Sequence, residues 1–408
     1  MEKEVIILKK RNCLFLLFIL VLVLSGMSGI VFAQAEEKPR IKTAWSTEEF
    51  TEDYLQLWKL LDENYPFFPV LEQQGINPDM LKAEYLSCVR ACSDINEYCR
   101  IIRDLFSRMG NPAHLELFGN DRYEGYQDLI RDGVITCDSR TYQLMQDGQT
   151  AATYSLFAVP QHKDARRTQP AGCSYDAENR ILILNIPSFQ QELIEQDAAI
   201  LTDAVREHPD VKDIIFDIRG NKGGSMYYWM SNLVAPFGQE YCYRESIYLS
   251  LTEVNRQYSL DRSAKPLSRS EGALPSFADE LGFTHLYEQE IRIPEGTYEG
   301  DIISCNADRW VLTDGAVFSS ADSFVSFCKK SGFATVVGTR TRGDGDSISP
   351  CLVRLPVTGL LVRFSTTTCA NEDGSLNAMT GHAPDFPCKP RETAMDACLR
   401  LIRMKNPR

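Results

Sequence analysis

Residues 211–225 read VKDIIFDIRGNKGGS. The apolar run through Ile214, Ile215, Phe216 and Ile218 describes a strand buried on both faces. The Asn-Lys-Gly-Gly after it is a turn whose glycines let backbone approach closely. Strands of that kind belong to parallel sheets covered by helices, so the neighbouring sequence should alternate between strand and helix. It does. ILILNIPSF (181–189) predicts a buried strand, and Gln190 to His208 has helical spacing through Ile194, Ala198, Leu201 and Val205. A helix is expected from about Met226 to Val234, a strand at WVLTD (310–314), a helix from about Ser320 to Lys330 and a strand at FATVVG (333–338). Leu352–Leu355 and Leu360–Phe364 predict a hairpin, and Ala394–Met404 a last helix. The fold class is α/β. Residues 239–300 are polar and are expected to form an irregular insertion.

Upstream the pattern is helical. Ser46 with Glu49 forms a capping box, Asn77 before Pro78 opens a second helix, and Asp94 with Glu97 opens a third that Gly110 closes. The chain therefore divides into a leader (1–35), a small helical domain (36–112), a poorly patterned connecting segment (113–180) and a core domain (181–408).

The leader has the order of a secretory signal peptide. Lys9, Lys10 and Arg11 precede the apolar run Cys13–Leu24, and small residues lead to Ala33-Gln34-Ala35, with cleavage expected after Ala35. Export to the periplasm or exterior follows, with no stable membrane span after cleavage; an uncleaved anchor is the alternative. Twelve of the thirteen cysteines would remain, and an even count in an exported chain predicts disulfides, with Cys88, Cys92 and Cys99 as one candidate group and Cys351 and Cys369 as another. The net charge of −13 is spread along the chain and opposes binding to nucleic acid or anionic membranes. No C-x-x-C pair occurs, the five histidines are scattered, and neither a metal nor a cofactor is implied.

Two strand-to-helix turns could carry chemistry. In DIRGNKGGS the pair Gly223-Gly224 can leave N–H groups free at a helix start, and in LTDGAVFSSADSF (312–324) Ser319 and Ser320 stand where a helix begins. A hydroxyl at such a turn beside a free N–H is half of an acyl-transfer site, although on this turn alone helix capping is the stronger reading.

Six short segments in order resemble the tail-specific, or C-terminal processing, serine proteases, closer to their tricorn-core-like branch. They are MGNPAHLEL, ILILNIPSF, DIRGNKGGS, LTDGAVFSSADSF, FATVVGTRTRGDG and GHAPD, spread between residues 109 and 385. The resemblance implies a crotonase-like (ClpP-like) spiral core of β-β-α units after a small helical domain. It sets Ser319 as nucleophile, His114 as base, and the N–H groups of Ser320 and of Gly223 or Gly224 as oxyanion hole. A polypeptide is the implied substrate. The PDZ domain common in the family is not evident in residues 119–179.

Three positions depart from the family. Ala113 replaces a serine that helps orient the imidazole in tricorn-like members. Asp344, 25 positions after Ser319, stands where processing proteases place a lysine base, which makes a Ser/Lys dyad improbable. Asn377 lies where a tricorn-like glutamate is expected, with Glu372 and Asp373 the nearest acids upstream. Asp344 and Asp346 read as loop residues, and His382 sits where an apolar residue is usual. These departures keep open a non-catalytic binding protein on the same fold, and an esterase on the same nucleophile. The third catalytic residue and the oligomeric state are not fixed by the sequence.

Overall fold

The computed structural model describes residues 5–7, 41–157, 169–268, 274–296 and 298–405. The leader assigned to residues 1–35 thus lies outside the described residues, save for the strand Val5–Ile7.

The centre is a six-stranded sheet ordered 386–387, 335–338, 308–313, 213–217, 181–185, 172–176. Its pairs are parallel except at the edge, where Gly172–Asp176 runs antiparallel to Ile181–Asn185. Alternate residues face opposite layers. Leu182, Leu184, Ile214, Phe216, Val311 and Val336 enter one core cluster with helix Ser320–Ser331. Ile181, Ile215, Trp310, Leu312 and Val337 enter a second, covered by Ala394, Ala397, Cys398 and Ile402 of helix Ala394–Lys405. Burial on both faces is why these strands are continuously apolar. The expected helix over 190–208 divides into Leu193–Gln196 and Ile200–Glu207.

The segment expected to be an irregular insertion contains regular structure among its described residues. Tyr241–Leu249 and His285–Ile293 are nine-residue strands paired antiparallel along their full length. The segment 119–157 also has order, as helices Asn120–Arg131, Arg140–Met145 and Gly148–Ser155.

The amino-terminal helices Thr47–Asn64, Pro78–Val89 and Ile95–Arg108 share one apolar cluster with the hairpin Cys351–Arg354 and Leu361–Phe364. Asp53, fully buried, accepts hydrogen bonds from the N–H groups of Val357 (2.9 Å) and Thr358 (3.2 Å) and from the Thr358 hydroxyl (2.6 Å), tying the first helix to the hairpin turn. Strand Glu116–Leu117 then adds to this hairpin, pairing with Val362 and Arg363.

The expected disulfides are absent among the described residues, where twelve cysteines are free thiols. Cys351 and Cys369 lie in different sheets, and their sulfurs contact the Thr366 hydroxyl and the Asp346 carbonyl instead. Cys88 is exposed, whereas Cys92 and Cys99 are buried in the helical core.

Candidate active site

In the central sheet, parallel strands 213–217, 308–313 and 335–338 lie side by side, and each is followed at its carboxyl end by a turn. Those turns carry Gly223 and Gly224, Ser319, and Asp344. The carboxyl edge of a parallel sheet is where loops from separate strands converge and where ligands of such folds bind.

Ser319 has φ 57° and ψ −133°, a conformation that costs a non-glycine residue roughly 1–3 kcal/mol. Its side chain makes no capping bond, so the capping explanation of this serine fails. The strain is held by backbone: the Ser319 N–H donates to the Gly343 carbonyl (3.0 Å), the Ser323 N–H to the Ser319 carbonyl (3.0 Å), and the Arg342 N–H to the Val317 carbonyl (2.7 Å). Ser319 is half-buried, while Ser320 is buried and its hydroxyl has no partner among the described residues.

The glycine turn abuts this elbow. Gly223 has φ 85°, and a Cβ on it would fall 2.7 Å from the Phe318 carbonyl oxygen, 2.9 Å from Ser319 Cβ and 2.9 Å from the Ser320 nitrogen. No side chain fits there. Gly224 is pressed against another segment, its Cβ position lying 2.2 Å from the Phe189 carbonyl oxygen. The Gly223 N–H already donates to Asn221 Oδ1 (2.8 Å).

His114 arrives from the helical side of the molecule. The turn after helix Ile95–Arg108 holds Asn111, Ala113 and His114 at φ 47°, 49° and 57°, and the Ser365 N–H fastens it by donating to the Ala113 carbonyl (2.8 Å). The ring is buried, its centroid 4.4 Å from that of Phe318, the residue before Ser319. His114 Nδ1 is hydrogen-bonded to Asp344 Oδ2. A carboxylate only accepts, so the proton sits on Nδ1 and Nε2 carries the lone pair. Burial lowers the His114 pKa below its ordinary value, against the opposing pull of the Asp344 charge.

Asp344 is therefore no ordinary loop residue. Its side chain is fully buried, and besides His114 it accepts from the Ser365 hydroxyl (2.8 Å) and the Ser347 hydroxyl (3.3 Å). Spacing alone identifies its position as that of a lysine in relatives; it carries no sign that an imidazole 230 residues away lies against it. Ser365, whose hydroxyl is 3.4 Å from His114 Nδ1, also reaches the ring, and no sequence signal marks it.

Asp346 is buried too, together with Asp322, His382 and Asn377. The ligand atoms of Asp322, Asp346 and His382 lie within 4.8 Å of one another, a spacing compatible with a cation. Lys330 Nζ already stands 3.3 Å from Asp346 Oδ2 and supplies positive charge there, and we assign no metal to the cluster.

A sequence model of Peptidase family S41 matches residues 180–388, just over half the chain. No curated protein matches it. Among solved structures, a peptidase-like protein from Parabacteroides merdae ATCC 43184 is similar with a TM-score of 0.50 and 19% identity over 86% of this chain and 96% of that one. Mature CPAF complexed with lactacystin gives 0.49 and 14%, covering 88% and 97%; the photosystem II D1 C-terminal processing protease gives 0.40 and 13%, covering 85% and 94%. The first of these likenesses extends the shared fold beyond the matched segment into the helical region, and the match itself spans the two glycines, the strained serine and the buried aspartate. The chain belongs to peptidase family S41.

Proposed function

We propose that this protein is an exported serine endopeptidase that cleaves polypeptides through an acyl-enzyme on Ser319, with His114 as base and Asp344 orienting it. The observation that carries the reading is the buried His114–Asp344 hydrogen bond beside the strained Ser319 turn. Neutral His114 would take the Ser319 hydroxyl proton on Nε2 as Oγ adds to the peptide carbonyl. Asp344 then stabilises the imidazolium without itself being protonated. The oxyanion would be received by the N–H groups of Ser320 and Gly224, since the Gly223 N–H is occupied by Asn221; each such donor is worth roughly 3 kcal/mol in the transition state. His114 returns the proton to the leaving amine, and water repeats the sequence on the ester.

Export is supported by the leader alone. Among the described residues no helix is long and apolar enough to cross a membrane. A fluorophosphonate probe tests the site. It should label the wild-type protein and Ser320→Ala but not Ser319→Ala. No labelling of the wild type, with no turnover of an unstructured protein, would instead favour a binding protein that retains the fold. Turnover of simple esters without turnover of polypeptides would favour the esterase reading.

A further inference from the structure

The Asp344 turn rests on a second layer of buried charge that the peptidase chemistry does not use directly. Helix Ser320–Ser331 presents Asp322, Ser326 and Lys330, four residues apart and hence on one face. Asp322 accepts from the Thr341 hydroxyl, from the Gly345 N–H (3.3 Å) and from Asn377 Nδ2 (2.9 Å). Asp346 Oδ2 accepts from Ser326 (2.6 Å), Lys330 (3.3 Å) and His382 Nε2 (2.8 Å). Asn377 Oδ1 holds the Gly345 and Asp346 N–H groups at 3.1 and 3.3 Å, and its carbonyl holds that of Asp344 at 2.9 Å. The stretch 341–346 is thus fixed on both sides of Asp344, and His382 bridges the fixing groups, with Nε2 also 4.0 Å from Asp322 Oδ2.

We propose that His382, as an imidazolium, is a positioning residue: it holds Asp346 and Asp322 together and thereby keeps Asp344 seated against His114. The inference rests on the reading of Ser319, His114 and Asp344 given above.

The 2.8 Å contact of Nε2 with Asp346 Oδ2 favours the protonated ring. Asp346, which Lys330 and His382 hold ionised, is the charge that faces the ring, whereas burial raises Asp322 and raises Glu245 to about 8; Lys330 Nζ stands 2.5 Å from Glu245 Oε1. Burial and an Nδ1 without a partner among the described residues favour the neutral ring, but Asp346 and Asp322 raise His382 to about 9. Lys330 opposes its protonation, and Glu372, Asp373 and His382 line a cavity of about 270 Å³.

The test is the rate at which a fluorophosphonate labels Ser319 in the full chain, measured against pH for the wild type and His382→Gln. The wild-type rate should fall above about pH 9. His382→Gln keeps a donor but no charge, and should be about tenfold to a hundredfold slower at neutral pH, with that alkaline fall gone. A folded His382→Gln that labels at the wild-type rate with the same alkaline fall overturns the inference while leaving the peptidase reading intact. A wild type that does not label overturns the peptidase reading itself. Should His382→Gln fail to fold, the imidazole resonances of the wild-type protein decide: a His382 ring protonated at pH 7.5 supports the proposal, and a neutral one overturns it.

Discussion

Asp344 Oδ2 and His114 Nδ1 share a hydrogen bond across 230 residues of chain, and both side chains are almost entirely removed from solvent. The two come from different halves of the molecule, one from the carboxyl edge of the central sheet and one from a strained turn of the helical region. Asp344→Asn keeps the shape and reverses one partner, since an amide can offer Nδ1 a donor and so place the ring proton on the wrong nitrogen. The expected result is a loss of about a thousandfold or more in kcat on a polypeptide substrate, with KM little changed. Steady-state kinetics on the folded variant measures it. Activity near the wild-type value would remove Asp344 from the mechanism.

This pairing marks the boundary of what the sequence discloses. The central strands are legible because burial on both faces leaves them uniformly apolar, and the Ser319 and Gly223-Gly224 turns because each follows such a strand. The strand Tyr241–Leu249 escapes notice because its register carries Glu245 inward, where Lys330 satisfies it; a buried carboxylate breaks the alternation that identifies a half-buried strand. Asp344 and Ser365 escape for a different reason. Their roles exist only in three dimensions, and a residue that meets its partner across two halves of a chain leaves no periodic trace.

With His114 in its proposed role, its lowered pKa sets the acid limb of the activity. The His114 ring is neutral above its folded pKa, which burial has moved below 6.5, so on the proposed role of His114 activity should persist to a lower pH than a solvent-exposed imidazole would allow. Stability follows the same sign. The unfolded chain protonates this histidine at higher pH than the folded one, so its contribution is complete above about pH 6.5 and is lost as pH falls through the folded pKa. A pH–rate profile of probe labelling should show an acid midpoint below 6.5. A midpoint above 6.5 would mean that the Asp344 charge outweighs burial.

Gly223→Ala tests the contact between the glycine turn and the serine elbow. The new methyl would meet the Phe318 carbonyl, Ser319 Cβ and the Ser320 nitrogen, all inside 3.0 Å, at a backbone φ of 85°. Either the turn or the elbow must yield. The variant should lose probe labelling by at least about a hundredfold, and about 2 kcal/mol of stability in urea. Retention of both would show that the turn is more compliant than its packing implies.

Reduced thiols are unexpected in an oxidising compartment, and the geometry is specific about them. Cys351 and Cys369 lie in separate sheets, and each sulfur rests against an oxygen partner rather than another sulfur. Titration of the denatured, unreduced protein with a thiol reagent should count twelve free cysteines if the leader, with Cys13, has been removed, and thirteen if it is retained. A count lower by an even number would establish disulfides that this arrangement does not contain.

Asp53 bears on whether the amino-terminal helices can come loose from the core. Its carboxylate is the shared acceptor for two N–H groups and one hydroxyl in the turn at Val357 and Thr358, and burial raises its pKa against the pull of those donors. Asp53→Ala removes the acceptor and leaves the three donors buried, a loss of about 3 kcal/mol. The same hairpin carries strand Glu116–Leu117 and, through it, His114, so the loss should reach the site. Urea denaturation followed by tryptophan fluorescence should give one transition in the wild type and an earlier one in Asp53→Ala, with probe labelling lost at the same urea concentration. If labelling outlasts the fluorescence change, the helices unfold separately and His114 is held by the core hairpin alone.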